Sequence, residues 1–267
     1  MTSGRFSLEG RRAFVTGASS GIGRAIALGL FEQGAQVVVH HFGDPAGAAD
    51  VAQAAGGAVM VEADFTRGGA AEALAADVLA NHGPIDILVA NAAIERRVPW
   101  QEASAPHVMA HVNANFLSLL ALAQHLVPPM AARGWGRVVA TGSVMAERPR
   151  AETIAYAAMK AAQLTAVRAL AREVSASGVT MNVVSPGAIE VEHNAARYAD
   201  PAFRRAVTAK IPAGRAGSPE DLVGPVLFLC SDAAAYVTGA DLPVNGGWTI
   251  GDAPGALPAE DKTFANG

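Results

Sequence analysis

Short runs of β-branched and other apolar residues alternate along the chain with longer, alanine-rich stretches of helical length. The runs at 12–16, 36–40, 58–63, 86–90, 137–141, 180–184 and 241–244 predict strands. Their apolar positions are near-continuous rather than alternating, which marks a sheet covered on both faces. Helices are predicted between them, at about 22–33, 45–55, 67–82, 106–132, 153–176 and 219–231. Strands separated by helices imply parallel pairing through right-handed crossovers. The expected fold class is α/β: a single doubly wound domain over residues 1–250, with a seven-stranded, mostly parallel sheet and helices on both faces. Residues 251–267 are rich in Gly, Pro and Ala without periodicity. They are expected to be frayed or ordered at a subunit interface.

Composition narrows the picture. Of the 267 residues 51 % are hydrophobic, enough for a large core, and the net charge is −4. That balance gives no reason to expect a nucleic acid or an anionic membrane as partner. Cys230 is the only cysteine, which rules out a disulfide within the chain and a cysteine-based zinc site. A reducing cytoplasm is the expected compartment, and no metal site is expected. The longest stretch free of charged side chains, about 106–132, contains His107, His111, Asn113, Asn115, Gln124 and His125. A membrane span would have to bury all of these, so a buried or interface helix is expected there.

The first strand runs into TGASSGIG (16–23) and a helix begins at once. Gly17 permits the tight turn, Gly21 lets backbone approach a pyrophosphate, and Gly23 lets the helix pack on the sheet, as in the Rossmann arrangement. Free N–H groups and the helix dipole then attract phosphates. The end of strand two should carry the group that reads the ribose. It reads His40-His41-Phe42-Gly43, with neither carboxylate nor arginine. With no carboxylate to repel a 2′-phosphate, the choice between NADP and NAD leans to NADP, with His41 as the contact. Both histidines also fit as plain strand-end polar residues. Asp64 ends strand three, where it can reach an adenine or cap a turn. Strand four ends in Asn91-Ala92-Ala93, small enough for a cofactor to lie close to the backbone.

Tyr156 and Lys160 lie four residues apart in a helix-forming stretch, so they share one face. A free tyrosine is too weak an acid to serve as a base at neutral pH, and lowering its pKa by about three units takes roughly 4 kcal/mol. An ammonium about 4 Å away supplies a contribution of that order at an effective dielectric near 20. The pair is therefore expected to form an acid/base group with a lowered tyrosine pKa. Ser143 ends strand five, where side chains face the crevice, and is placed to donate to a substrate oxygen.

These residues resemble the short-chain dehydrogenase/reductase family over nearly the whole chain. The matching pieces are TGASSGIG (16–23), DILVANAA (86–93), Asn115 before an apolar helix, Ser143, YAAMK (156–160), SPGAI (185–189) and YVTGADLPVNGG (236–247), in the family's order and spacing. The resemblance implies a catalytic group of Asn115, Ser143, Tyr156 and Lys160. In it the serine positions the substrate oxygen, the tyrosine exchanges its proton, and the lysine lowers the tyrosine pKa and binds the nicotinamide ribose. The asparagine holds a water that links the lysine to solvent. It also implies cofactor contacts from Gly17, Ser19, Ser20, Gly21, Ile22, Gly23, His41, Asp64, Phe65, Asn91, Ala92, Ala93, Tyr156, Lys160, Pro186, Gly187 and Ile189, and a homotetramer. Departures are Ala93 for the family's glycine, Val191 for its threonine, and the His40-His41 strand end.

The segment 188–214 lies where the family keeps its variable substrate loop and holds Glu190, Glu192, His193, Asn194 and Arg197, then a charged helical stretch from 200 to 210. Glu147, Arg148, Arg150, Glu152, Glu95, Arg96 and Arg97 are the other polar candidates; all fit equally as solvated loop residues. A polar pocket would suit a sugar, polyol or sugar acid, whose family dehydrogenases several segments resemble. Arg96, Arg97, Arg148 and Arg150 are then candidates to bind a substrate carboxylate. The alternatives are a 3-oxoacyl-thioester (acyl carrier protein) reductase and, from another class, a catalytically silent nucleotide-binding subunit.

Overall fold

Seven parallel strands lie in the order β3-β2-β1-β4-β5-β6-β7 in the computed structural model, which describes residues 4–251. They are β1 (Arg12–Val15), β2 (Gln36–His41), β3 (Val59–Glu62), β4 (Ile87–Ala90), β5 (Gly136–Thr141), β6 (Val179–Pro186) and β7 (Asp241–Val244). Every pairing among them is parallel. The chain works outward from β1 to β3, then returns to β4 beside β1 and continues the other way. That reversal opens a crevice beyond the carboxyl ends of β1 and β4, where open α/β sheets bind ligands.

Successive strand residues feed opposite faces of the sheet, and each face has its own core. On one side Phe14, Leu88, Val138 and Met181 meet α3 (Ala70–His82), α5 (Ser118–Ala132) and α6 (Ile154–Val174) through Leu74, Leu122, Leu126 and Val167. On the other, Val15, Val39, Val89 and Val139 meet α1 (Gly21–Glu32), α2 (Pro45–Ala54) and α9 (Glu220–Cys230) through Ile26, Leu30, Val51 and Val226. Burial on both faces is why these strands lack an alternating pattern.

Two expectations change. The helix expected at 106–132 is two helices, α4 (Ala105–Val112) and α5, joined by one turn of π-helix at Asn113–Leu117. Asn113 and Asn115 there are tied to different loops: Asn113 Nδ2 donates to the Thr66 carbonyl at 2.9 Å, and Asn115 bonds Ile94. Ser118 Oγ donates to the Ala114 carbonyl at 2.7 Å, satisfying an oxygen the widened turn loosens. The helix expected from 67 starts at Ala70, because an Asp64–Thr66 turn and Gly69 at φ +83° precede it. Of the expected charged stretch in the substrate loop, α8 (Pro201–Thr208) forms, after a short α7 (Ala195–Tyr198). The tail beyond residue 251 lies outside the described residues. No helix among the described residues is long and apolar enough to cross a membrane.

Candidate active site

The crevice is a cleft of about 890 Å³, at the upper end of the usual range for ligand sites. Its floor is the glycine loop. Gly17 has φ +62°, a left-handed conformation that disfavours a side chain. A Cβ on Gly23 would lie 2.0 Å from the Gly17 carbonyl oxygen, so only glycine lets α1 begin there. The loop is clasped from two sides. Asn91 Nδ2 donates to the Thr16 and Gly17 carbonyls at 3.0 and 3.1 Å, and Thr141 Oγ1 donates to Asn91 Oδ1 at 3.1 Å. Opposite, the Gly17 N–H donates to His40 Nδ1 at 3.0 Å, while His40 Nε2 donates to the Ala63 carbonyl at 3.1 Å. The His40 ring stacks on Phe65 with centroids 4.3 Å apart. Burial is the main reason its pKa falls to about 4, which keeps Nδ1 free to accept.

His40 is thus a clasp and lines the cleft, whereas His41, the expected ribose contact, does not. The alternation of the strand turns His41 inward, with its Nδ1 4.0 Å from Glu62 and without a hydrogen-bond partner among the described residues. Phe42, exposed at the end of β2, lines the cleft in its place. All the other expected cofactor contacts line it: Gly17 and residues 19–23 of the loop, Asp64, Phe65, Asn91, Ala92, Ala93, Tyr156, Lys160, Pro186, Gly187 and Ile189. Asp64 also caps its turn, accepting from the Thr66 N–H and hydroxyl at 3.0 and 2.6 Å. Val191 packs over the loop, its Cγ1 3.3 Å from where a Gly21 Cβ would sit.

Ser143, Tyr156 and Lys160 meet at the inner end of the cleft. Lys160 Nζ, fully buried, donates to the Thr141 carbonyl at 2.6 Å and to Gln163 Oε1 at 3.2 Å. Burial pushes its pKa down to about 8. Burial also pushes Tyr156 up to about 12, with the Ser143 hydrogen bond working against it. This corrects the expected lowering. Lys160 Nζ stands 5.7 Å from the centre of the tyrosine ring and spends its charge on neutral oxygens, so desolvation of the phenolate wins. Asn115, the fourth expected member, is buried outside the cleft. Its amide is committed to Ile94, accepting from the N–H at 2.8 Å and donating to the carbonyl at 2.9 Å.

The outer wall is polar and basic. Glu95 Oε1 accepts from Arg97 Nε at 2.8 Å and from Arg150 Nη2 at 3.1 Å, so one carboxylate serves two guanidiniums. Arg197 faces the same cleft, lies 4.6 Å over the Phe203 ring and makes no ion pair among the described residues. Of the other arginine candidates, Arg148 holds the Thr249 and Gly251 carbonyls and, like Arg96, does not line the cleft. Glu190 is taken by Arg204 in a two-pronged pair at 2.9 Å. His193 and Asn194 reach the cleft as the loop reading allowed. Tyr198, Phe203, Val207 and Trp248 were not anticipated there. The spacing of Phe203 and Val207, one turn apart on the amphipathic α8, was the available signal; Trp248 offered none.

The chain is similar to known proteins over nearly its whole length. The family profile described as enoyl-(acyl carrier protein) reductase matches residues 17–249. A 2-dehydro-3-deoxy-D-gluconate 5-dehydrogenase of Pseudoalteromonas atlantica is 37 % identical over 248 residues, covering 91 % of this chain and 98 % of that protein. A 3-oxoacyl-[acyl-carrier-protein] reductase of Salmonella typhimurium is 36 % identical over 244 residues, covering 90 % and 98 %. Among solved structures, a gluconate 5-dehydrogenase of Burkholderia cenocepacia in complex with NADP and tartrate superposes with a TM-score of 0.84 at 34 % identity, covering 94 % of this chain and 99 % of that one.

Proposed function

This chain belongs to the short-chain dehydrogenase/reductase family and is an NAD(P)-dependent oxidoreductase, and from that premise we propose that it interconverts a hydroxyl and a carbonyl on a sugar acid, with NADP as the cofactor. The observation that carries the substrate reading is the shared carboxylate of Glu95. Arg97 and Arg150 divide one acceptor oxygen, and Arg197 adds a third positive charge on the same wall. Burial and the neighbouring Arg97 both lower the pKa of Arg150, with Arg197 adding to the repulsion, so an added anion there would relieve like-charge strain. A substrate carboxylate fits that need, and guanidinium groups suit its planar geometry. The tartrate seen with the Burkholderia enzyme is a hydroxy acid of this kind.

The glycine cradle, closed to any side chain at Gly23, fits a dinucleotide pyrophosphate. When bound, the nicotinamide supplies and accepts the hydride. The chain's own residues handle the proton. Ser143 donates to the substrate oxygen, and Tyr156, buried beside it, gives its proton to the forming hydroxyl or takes one from it. Lys160 keeps a positive charge behind the phenol. A phenol held near 12 keeps its proton at neutral pH, the form that carbonyl reduction needs. For alcohol oxidation it needs more positive charge nearby, which fits the oxidised cofactor. The same reading gives Asn115 a supporting place, through Ile94 and the π turn, and makes the enzyme a homotetramer.

Turnover of a panel of sugars, polyols, sugar acids and 3-oxoacyl thioesters with NAD and NADP tests the substrate reading. The expected result is fastest turnover of a sugar acid with NADP. Turnover of the thioesters alone would establish the acyl-reductase alternative instead. Tyr156→Phe is expected to lose roughly 10²–10⁴-fold in kcat.

A further inference from the structure

Glu95 and Arg97 are carried by an irregular arm between β4 and α4 that has no strand partner among the described residues. Its backbone N–H groups are nonetheless taken at alternate positions by groups from outside it. Ile94 N–H donates to Asn115 Oδ1 at 2.8 Å, Arg96 N–H to His111 Nε2 at 3.2 Å, and Val98 N–H to the Glu152 carbonyl at 3.1 Å. These three ties fix the path of the arm, and with it the stations of residues 95 and 97 between them. Glu95 and Arg97 both line the cleft, as does Ile94, while Arg96 and Val98 do not. His111 and Asn115 stand four residues apart on either side of the junction between α4 and the π turn.

We propose that His111 is a positioning residue for substrate: by accepting the Arg96 N–H it sets the register in which the arm presents Arg97, ion-paired with Glu95, to the substrate's acid group. The inference rests on the sugar-acid reading of those two residues. The ring can do this in one state only. Nδ1 lies 2.9 Å from the His107 carbonyl, the fourth residue back on α4, and must carry the hydrogen to bond it. Nε2 is then bare and accepts. A protonated ring would turn a second N–H against that of Arg96. His111 is fully buried, and burial lowers its pKa with His107 and Arg96 adding to the effect, in keeping with a neutral ring.

A core-filling role and a positioning role differ in what a shape-conserving variant does. His111→Phe fills the space without an acceptor; His111→Leu is the second variant should the first not fold. One lost hydrogen bond is worth about tenfold. Amide exchange of residues 94–97 in His111→Phe is therefore expected to rise about tenfold over wild type, measured without ligand. The KM for the best sugar acid of the panel should rise about tenfold, the NADP Kd should stay within about twofold, and His111→Gln should restore most of the protection. Unchanged exchange at 94–97 in a folded variant overturns the clasp. Raised exchange with an unmoved KM, where Arg97→Ala does raise KM, overturns the positioning role. If Arg97→Ala leaves KM unchanged, the sugar-acid reading falls and this inference with it, while the exchange data still report the clasp separately.

Discussion

Lys160 is a cation buried among neutral partners, the Thr141 carbonyl and the Gln163 amide. Its pKa drops from 10.5 unfolded to about 8 folded, so between those values the unfolded chain binds more protons and stability rises with pH. The contribution is most favourable above 10.5 and is lost as pH falls through 8; below that the charge costs about 3 kcal/mol. Lys160→Met, inactive, is expected to be more stable than wild type at pH 7 by that order. The gap should close as denaturant titrations move from pH 8 toward 10.5, and a gap that does not depend on pH would refute the account. The Tyr156–Lys160 spacing was legible in the sequence because a helix puts i and i+4 together. The direction of the tyrosine shift was not, since it depends on which oxygens Lys160 meets and on how dry the phenol is. For the same reason the sequence points to His41 as the cofactor contact, whereas strand alternation sends His40 to the glycine loop and His41 inside.

The strand–loop–helix unit at the cofactor end gathers its restraints from distant segments: Asn91 after β4, His40 on β2 and Thr141 on β5. Its glycines announce it in the sequence, but the clasping side chains cannot be found from local pattern, because they come from other strands. Gly23→Ala would place a methyl carbon 2.0 Å from the Gly17 oxygen and beside Asn91 Nδ2, both parts of a clasped loop with nowhere to move. The expected outcome is a folded protein whose melting temperature no longer rises with NADP; a retained shift would mean the loop gives way. Strands read well from apolar runs, and β7 matches its expected span of 241–244. The helix over 106–132 read as continuous because a π turn keeps the same apolar composition while changing only the hydrogen-bond spacing.

At the level of the whole molecule, large apolar side chains stay exposed at several places among the described residues, and two groups of them bear on assembly. Trp100, Met109, Leu117 and Ile154 lie on or beside α4, the π turn and α6; Tyr236 and Ile250 flank the edge strand β7. Two patches suit two kinds of contact, as a tetramer requires. Light scattering is expected to give about four chain masses, and a monomer at micromolar concentration would count against the assembly. The π turn has a consequence for how such a chain can change over generations. A helix advances about 100° per residue, so adding one residue between 113 and 117, beyond the extra one the π turn already takes up, would spin α5 against α4. Either Leu119, Leu122 and Leu126 would leave the core, or His111 would swing away from the substrate arm. This stretch should therefore accept exchanges of residue type far more readily than a further gain of length, and the number of residues in the turn is itself a dimension of the site.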